Sequence, residues 1–103
     1  MKVFSYRFVD PVVRTDTVDG RRFYEGDTVQ IAHIEILPGG VLEKHETPVD
    51  AVLYVLQGTA KVIIDNQEQV IQQDELVEFP KNTPHEVINI SQKKLRVLVI
   101  RHK

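Results

Sequence analysis

The feature that most constrains this chain is a succession of short apolar runs, each closed by turn-forming residues. The long run at 28–37, for example, stops at Pro38-Gly39-Gly40. No window has the 3.6-residue apolar period of an amphipathic helix, whereas strands and turns in regular succession are typical of an antiparallel sandwich or barrel. The sequence therefore predicts an all-β fold. Further strands are expected in RRFYE, 51–57, 59–65, EQVIQ, ELVEFP, HEVINI and LRVLVIR, with a hairpin turn at Asp65-Asn66.

Side-chain alternation gives several residues an expected direction. Alternate positions from 4 to 8 are aromatic, which predicts a half-buried N-terminal strand. Within 28–37 the isoleucines at 34 and 36 take the inward parity, so His33 is expected outside, as a surface or subunit-contact residue. His102, close to the basic C-terminus, is expected to be exposed.

Length and composition exclude several classes of protein. A chain of 103 residues predicts one domain, 1–103. It has no cysteine, which excludes disulfides and thiolate metal sites and favours a reducing compartment. The net charge is -2 and no basic patch is dense, so no nucleic-acid partner is expected. No apolar run reaches the ~18 residues that cross a bilayer or resembles a signal peptide. We therefore expect a cytoplasmic protein without a membrane partner.

A first motif lies between two glycines. Gly39 is followed by five residues and then by His45, and the stretch closes at Gly58. A Pro-Gly-Gly turn thus leads into a single histidine, and a run of apolar residues ends at Gly58.

A second motif, DELVEFPKNTPHEVIN, lies further along the chain. Pro80, His85 and Asn89 are in register, with Asp74 and Asn82 standing in place of two glycines. Together the two stretches resemble the cupin superfamily, whose motifs are written G(X)5HXH(X)3–4E(X)6G and G(X)5PXG(X)2H(X)3N. The resemblance covers about half of the chain and implies a cupin-type double-stranded β-helix, or jelly-roll barrel.

The resemblance also implies where a metal would be held. In cupins that bind metal, the two histidines and the glutamate of the first motif act with the histidine of the second. Two of these positions are His45 and His85 here, whereas the other two are Thr47 and Ala51. Zinc and divalent iron are usually held by three or four protein groups. We therefore expect no tightly bound cofactor and, at most, a weakly bound divalent metal at His45 and His85.

A carboxylate from Asp50 or Glu46 would complete a set of two histidines and one carboxylate. Strand alternation puts Asp50 on the opposite face from Ala51. Pro48 makes this segment irregular, so an inward Asp50 stays open as an alternative.

Inward-facing positions also predict a pocket for a small molecule. Alanine in place of glutamate leaves space at one barrel mouth, and a small barrel is wide enough to hold one small ligand. Apolar walls with a few polar groups are usual for such sites. The expected lining residues are His45, Thr47, Ala51, Leu53, Val55, Phe79, His85 and Asn89.

Two functions from different classes remain open at this point. One is a binding module that holds a small, partly apolar organic molecule in the barrel interior, without a complete metal site. The other is a metal-dependent cupin enzyme, of isomerase or oxygenase type, that uses His45 and His85 with an unplaced carboxylate. The residues at Thr47 and Ala51 favour the first. Strands apolar on both faces, as in LRVLVI, further predict a homodimer.

Overall fold

A computed structural model describes all 103 residues and confirms the all-β fold. A short 3-10 helix, Tyr6–Phe8, precedes the strands. The strands are β1 (Val13–Arg14), β2 (Val18–Glu25), β3 (Val29–Ile36), β4 (Val41–His45), β5 (Ala51–Gln57), β6 (Thr59–Ile64), β7 (Gln67–Gln72), β8 (Leu76–Phe79), β9 (His85–Asn89) and β10 (Leu95–His102).

Two antiparallel sheets face each other as a jelly roll. The larger sheet has the order β1-β2-β3-β10-β5-β8, and the smaller has the order β4-β9-β6-β7. Strand β10 pairs with both β3 and β5, so the last strand of the chain joins the two halves of the larger sheet. None of the helical structure in the chain has the length and apolar character needed to cross a membrane.

The core lies between the sheets and follows the expected alternation. Along β5, Ala51, Leu53 and Val55 are buried while their neighbours are half-exposed. Inward residues of both sheets pack against one another, and this burial of apolar surface is the main stabilising contribution to such a fold. The twelve core residues are Val18, Ile36, Ala51, Leu53, Val55, Ala60, Val62, Ile71, Phe79, Val87, Leu95 and Val97.

The turn positions of both motifs share one unusual backbone conformation. Gly39 and Gly58 have φ values of 78° and 92°. Asp74 and Asn82, which stand where glycines would be, have φ values of 68° and 56°. Aspartate and asparagine tolerate this left-handed region better than other residues with a side chain. All four turn positions therefore have a positive φ, although two of them are occupied by residues other than glycine.

The predicted N-terminal strand is wrong. Tyr6–Phe8 forms a 3-10 helix that is capped by Ser5, whose hydroxyl accepts a hydrogen bond from the Arg7 backbone N–H. The alternating aromatic residues have no neighbouring strand to pair with, because β1 already lies at that edge of the sheet. Phe8 is 70% exposed, whereas the Tyr6 ring packs onto the outer face of the larger sheet.

The expectation that His33 is a surface residue is also wrong. The parity was correct, since His33 projects from the outer face of β3, but the side chain is only 1% exposed. The Tyr6 ring lies parallel to the imidazole at 3.7 Å between centroids and excludes solvent from it. His102, by contrast, is exposed, as expected.

Candidate functional site

A cavity of about 130 Å³ lies between the sheets at one end of the barrel. Five of the eight residues expected in a pocket line it: His45, Thr47, Ala51, Phe79 and His85. They come from β4, the segment after it, β5, β8 and β9. The two motifs therefore converge at one site, because β4 pairs directly with β9.

The two histidines form the polar end of this cavity. His45 and His85 are cross-strand partners, and their Nε2 atoms are 3.1 Å apart. The His85 ring also stacks on Phe79, with ring centroids 4.0 Å apart and planes at 16°. His85 is only 3% exposed, so Phe79 and His45 hold its ring in one orientation.

The backbone determines which ring nitrogen carries the proton in each histidine. The Nδ1 of His45 lies 2.8 Å from the Glu43 carbonyl oxygen, and the Nδ1 of His85 lies 3.2 Å from the Thr83 carbonyl oxygen. A carbonyl oxygen only accepts hydrogen bonds, so each Nδ1 is assigned the hydrogen. In neutral rings the Nε2 lone pairs then face each other. A shared proton or another cation between them relieves their repulsion.

Burial keeps His85 neutral over most of the pH range. Loss of hydration, and secondarily the positive charge of His45, lowers the pKa of His85 to about 4. The hydrogen bond to Thr83 acts in the opposite direction, whereas the charge of Arg101 lowers the pKa further. At neutral pH His85 therefore presents an unprotonated Nε2 to the cavity, the form that binds metals or accepts a hydrogen bond.

The histidine pair fits part of a metal site but not a complete one. Two ligands about 2.1 Å from one ion, at an angle of about 90–110°, are roughly 3.0–3.4 Å apart, which the Nε2 atoms match. No group of three histidine, cysteine or carboxylate side chains is placed to hold an ion. The Thr47 hydroxyl donates to the Val49 carbonyl oxygen at 2.9 Å and is already committed. The donor set does not fit a tightly held metal.

Neither candidate carboxylate reaches the histidines. The Asp50 carboxylate accepts a hydrogen bond from the Lys81 backbone N–H at 2.9 Å, outside the cavity. Glu46 is exposed. Asp50 is therefore directed away from the histidines. It lies on the face opposite the inward Ala51, as strand alternation predicts.

Leu53 and Val55 were expected in the pocket, but the structure places them elsewhere. Both have 0% exposure and lie further along β5, within the core. They share the inward parity of Ala51, yet neither lines the cavity, because both are enclosed by other core side chains.

Asn89 was also expected in the pocket, but it lies at the other end of the barrel, where its side chain is fully used in hydrogen bonds within the protein. Its amide nitrogen donates to the carbonyl oxygens of Ile36 and Lys93, at 2.8 and 2.9 Å. Its amide oxygen accepts from the Ser91 N–H and hydroxyl, at 2.9 and 2.7 Å. A buried amide with these partners joins the two sheets and has no free group to offer a ligand.

Several cavity residues were missed at the sequence level. Arg101 and Gln30 come from β10 and β3, Arg22 comes from β2, and Val12 and Val13 cover the opening. Arg101 has the inward parity of Val97 and Val99, which was a usable signal. Nothing in the sequence indicated that β1 would cross this mouth.

Comparison with known sequences gives two matches. A family model described as "Cupin domain" matches residues 32–101. An uncharacterized protein of Methanocaldococcus jannaschii is 30% identical over 78 residues, which is 73% of this chain and 61% of that protein. The chain thus spans about three fifths of the length of this curated relative.

Solved structures with the same fold have varied descriptions. A predicted oxalate decarboxylase from Thermotoga maritima superposes with a TM-score of 0.85 at 13% identity, covering 98% of each chain. KdgF from Halomonas sp. gives 0.84 at 14% identity, covering 100% of this chain and 94% of that one. The polyketide cyclase RemF from Streptomyces resistomycificus gives 0.82 at 20% identity, covering 99% and 79%. At these identities the likeness establishes the fold alone.

Proposed function

This chain belongs to the cupin domain family, and from that premise we propose that its barrel binds a small, partly apolar organic molecule without a complete metal site. The observation that carries the proposal is the cavity at the barrel mouth. Eight of its 15 lining residues are hydrophobic, and the histidine pair supplies polar groups. Apolar walls with a few converging polar groups are the usual character of a small-molecule site.

The size of the cavity limits the ligand. Its volume is about 130 Å³, and an engineered protein cavity of about 150 Å³ holds benzene. A fully enclosed ligand would therefore have roughly five or six non-hydrogen atoms. A larger molecule would have to extend through the opening beside Val12 and Val13.

Thermal unfolding with a panel of small compounds tests this function. The panel would contain charged and neutral molecules of about five to ten non-hydrogen atoms, with a chelator present throughout. We expect at least one to raise the melting temperature of the parent, because a ligand that binds only the folded state stabilises it.

A blocking variant assigns such a shift to the cavity. Ala32 lines the cavity and is half-buried, so Ala32→Leu adds three carbon atoms to the space. We expect this variant to fold and to lose the ligand-dependent shift. The control is Val70→Leu, an enlargement at an exposed position on β7. Equal shifts in the parent and in Ala32→Leu would place binding elsewhere and contradict the proposal.

One observation favours a second candidate, a metal-dependent enzyme of the cupin kind. The converging Nε2 lone pairs of His45 and His85 form two adjacent ligand positions, each oriented by a backbone carbonyl as in many metal sites. Metal analysis of tag-free protein, purified without added metal, tests this alternative. Close to one equivalent of a divalent metal, lost in His45→Ala, would favour the enzyme over the binding module.

A further inference from the structure

The charges around the cavity all have one sign. Two arginines carry these charges, and no aspartate or glutamate is among the 15 lining residues. In the chain as a whole, acidic residues outnumber lysine and arginine by 15 to 13. The cavity is therefore a positive site in a protein with a net charge of -2.

Its two arginines, Arg22 and Arg101, have no protein partner. The side-chain hydrogen bonds of the chain include none from either guanidinium. By contrast, five cationic side chains outside the cavity do form ion pairs: Arg14, Arg21, Lys61, Lys94 and Lys103.

Arg101 is the more informative of the two because it points inward and is half-buried. On β10 it lies opposite Gln30 of β3 and Ala51 of β5, at the level of the histidine pair. A guanidinium carries five N–H donors in a fixed planar arrangement, and a partly buried polar group without a partner is unfavourable. Its geometry matches a carboxylate, which it binds through two parallel hydrogen bonds.

The walls beside Arg101 favour an organic anion over an inorganic one. Ile34, Leu42 and Val99 all line the same cavity and are packed against the core. Phosphate or sulfate would satisfy the guanidinium but would leave these side chains uncovered. An anion with a short apolar tail satisfies both.

We propose that the ligand of this cavity is a small organic carboxylate with a short apolar tail, whose carboxylate group is bound by Arg101 while Arg22 contributes positive charge at the opening. The inference rests on the proposed binding function and adds the chemical class of the ligand. The histidine pair lines the same cavity, and its Nε2 atoms are available to hydrogen-bond a second polar group of the bound molecule.

The test compares carboxylates with neutral molecules of the same shape. Binding of acetate, butyrate, isovalerate and benzoate would be measured by calorimetry against the four corresponding amides, in the presence of a chelator. Inorganic phosphate and sulfate form a third group. We expect at least one carboxylate to bind at least tenfold more tightly than its amide and than either inorganic anion.

Substitutions assign the preference to Arg101. Arg101→Gln removes the charge, and we expect it to weaken carboxylate binding at least tenfold and to leave the amide unchanged. Arg101→Lys keeps a charge without the two-bond geometry, so we expect intermediate affinity and a folded protein if glutamine is not tolerated. The control is Arg14→Gln, which removes the same charge from a 65% exposed side chain paired with Asp19.

The possible outcomes separate this inference from the function on which it rests. Amides that bind as tightly as carboxylates would overturn the carboxylate inference and leave the binding function intact. Preference for phosphate or sulfate would overturn it in favour of an inorganic anion. Carboxylate binding unchanged in both Arg101 variants would also overturn it. Failure of every carboxylate and every amide to bind would contradict the inference together with the proposed function.

Discussion

His33 and His85 are both buried imidazoles, but their hydrogen bonds give them different roles. The Nε2 of His33 accepts a hydrogen bond from Arg96 at 3.2 Å, and its Nδ1 is buried with no partner. His33 therefore fastens the Tyr6 segment to the outer face of the larger sheet. His85 has the opposite arrangement, with Nδ1 bonded to the backbone and Nε2 directed toward the cavity. Only His85 has a nitrogen available to a ligand.

Both histidines make stability dependent on pH. Burial is the main cause that lowers the pKa of each to about 4; for His33 the charge of Arg96 acts in the same direction and Glu35 in the opposite one. Unfolded histidine titrates near 6.5, so between about pH 6.5 and 4 the unfolded chain binds more protons. We expect the free energy of unfolding to be highest above pH 6.5 and to fall as the pH decreases from 6.5 toward 4.

Urea unfolding between pH 7.5 and 5 measures this effect above the range where most carboxylates titrate. His33→Gln should weaken the pH dependence, because one of the two groups with a low folded pKa is removed. His102→Gln, at an exposed position, is the control and should leave it unchanged. A free energy of unfolding that is constant over this range would contradict the assignment.

The positions of Thr47 and Ala51 allow a complete metal site to be built. In Thr47→His plus Ala51→Glu, three imidazoles and a carboxylate would surround one point at the cavity mouth. Without metal the variant should be less stable than the parent, because an unpaired buried carboxylate is unfavourable. With nickel, zinc or manganese at a thousandfold excess over Kd, it should gain about 4 kcal/mol.

Thermal unfolding of parent and variant, each with and without metal, measures this change. Adding His45→Ala to the variant is the control and should reduce the gain. If the variant gained no more stability from metal than its parent, the four positions would not converge as the structure places them.

At the scale of elements, the turns position the strands that carry the site. The Asn82 backbone N–H donates to the Thr47 carbonyl oxygen at 2.7 Å, so the turn before β9 holds the segment after β4. Asn82 does this with a φ of 56°. The turn therefore sets the distance between the two motif segments that meet at the cavity.

This conformation makes substitutions at Asn82 informative. Asn82→Ala should lower the free energy of unfolding by about 1 kcal/mol, because alanine avoids the left-handed region. Asn82→Gly should be close to neutral, since glycine adopts that region freely. Urea unfolding measures both, with Lys81→Ala at the neighbouring exposed position as the control. Equal effects of alanine and glycine would mean that the backbone conformation is not what asparagine contributes.

Asn89 joins elements at the opposite end of the barrel. Asn89→Ala removes its amide and leaves the buried Ile36 carbonyl oxygen with one partner fewer. We expect it to lower the free energy of unfolding by about 1–3 kcal/mol. Ligand affinity per folded molecule should not change. Chemical denaturation and calorimetry measure the two quantities, with the exposed Asn66→Ala as the control. A large loss of ligand affinity with an unchanged free energy of unfolding would mean that Asn89 contacts the ligand, and would contradict its structural role.

At the scale of the whole molecule, the outer face of the larger sheet carries an apolar patch. Ile31, Ile100 and Val52 are neighbours across three adjacent strands, and Leu98 lies on the same face of β10. All four are only half-buried in the single chain. A sheet that is apolar on both faces needs cover on both.

We propose that a second copy of the chain covers this face. Sedimentation should then give a homodimer, twice the 11.8 kDa of one chain, at micromolar concentration. Leu98→Glu should shift the protein toward monomers, because it puts a charge in the centre of the contact. Ile90→Glu, at a residue 49% exposed after β9, is the control and should leave the dimer intact. A monomeric parent would contradict the proposal.

Local chemistry was sufficient to predict the fold class and the positions of most strands in the sequence. β5 was predicted at the bounds that the structure has, and a turn at Asp65-Asn66 is present. Apolar alternation and turn residues are properties of neighbouring residues, so they can be recognised without the tertiary structure. The resemblance of the two motifs to those of cupins implied that His45 and His85 lie at one site, and their Nε2 atoms are 3.1 Å apart.

Only the tertiary structure decided which residues surround the cavity and what they can bind. Arg101 and Arg22 are 79 positions apart in the numbering, yet both line one cavity with the histidine pair. Leu53 has the same inward parity as Ala51 but lies where the barrel is already filled. Tyr6 covers His33 from a segment that the alternation had assigned to a strand. Periodicity determines which face a side chain occupies, whereas its partners and its exposure depend on contacts between distant segments.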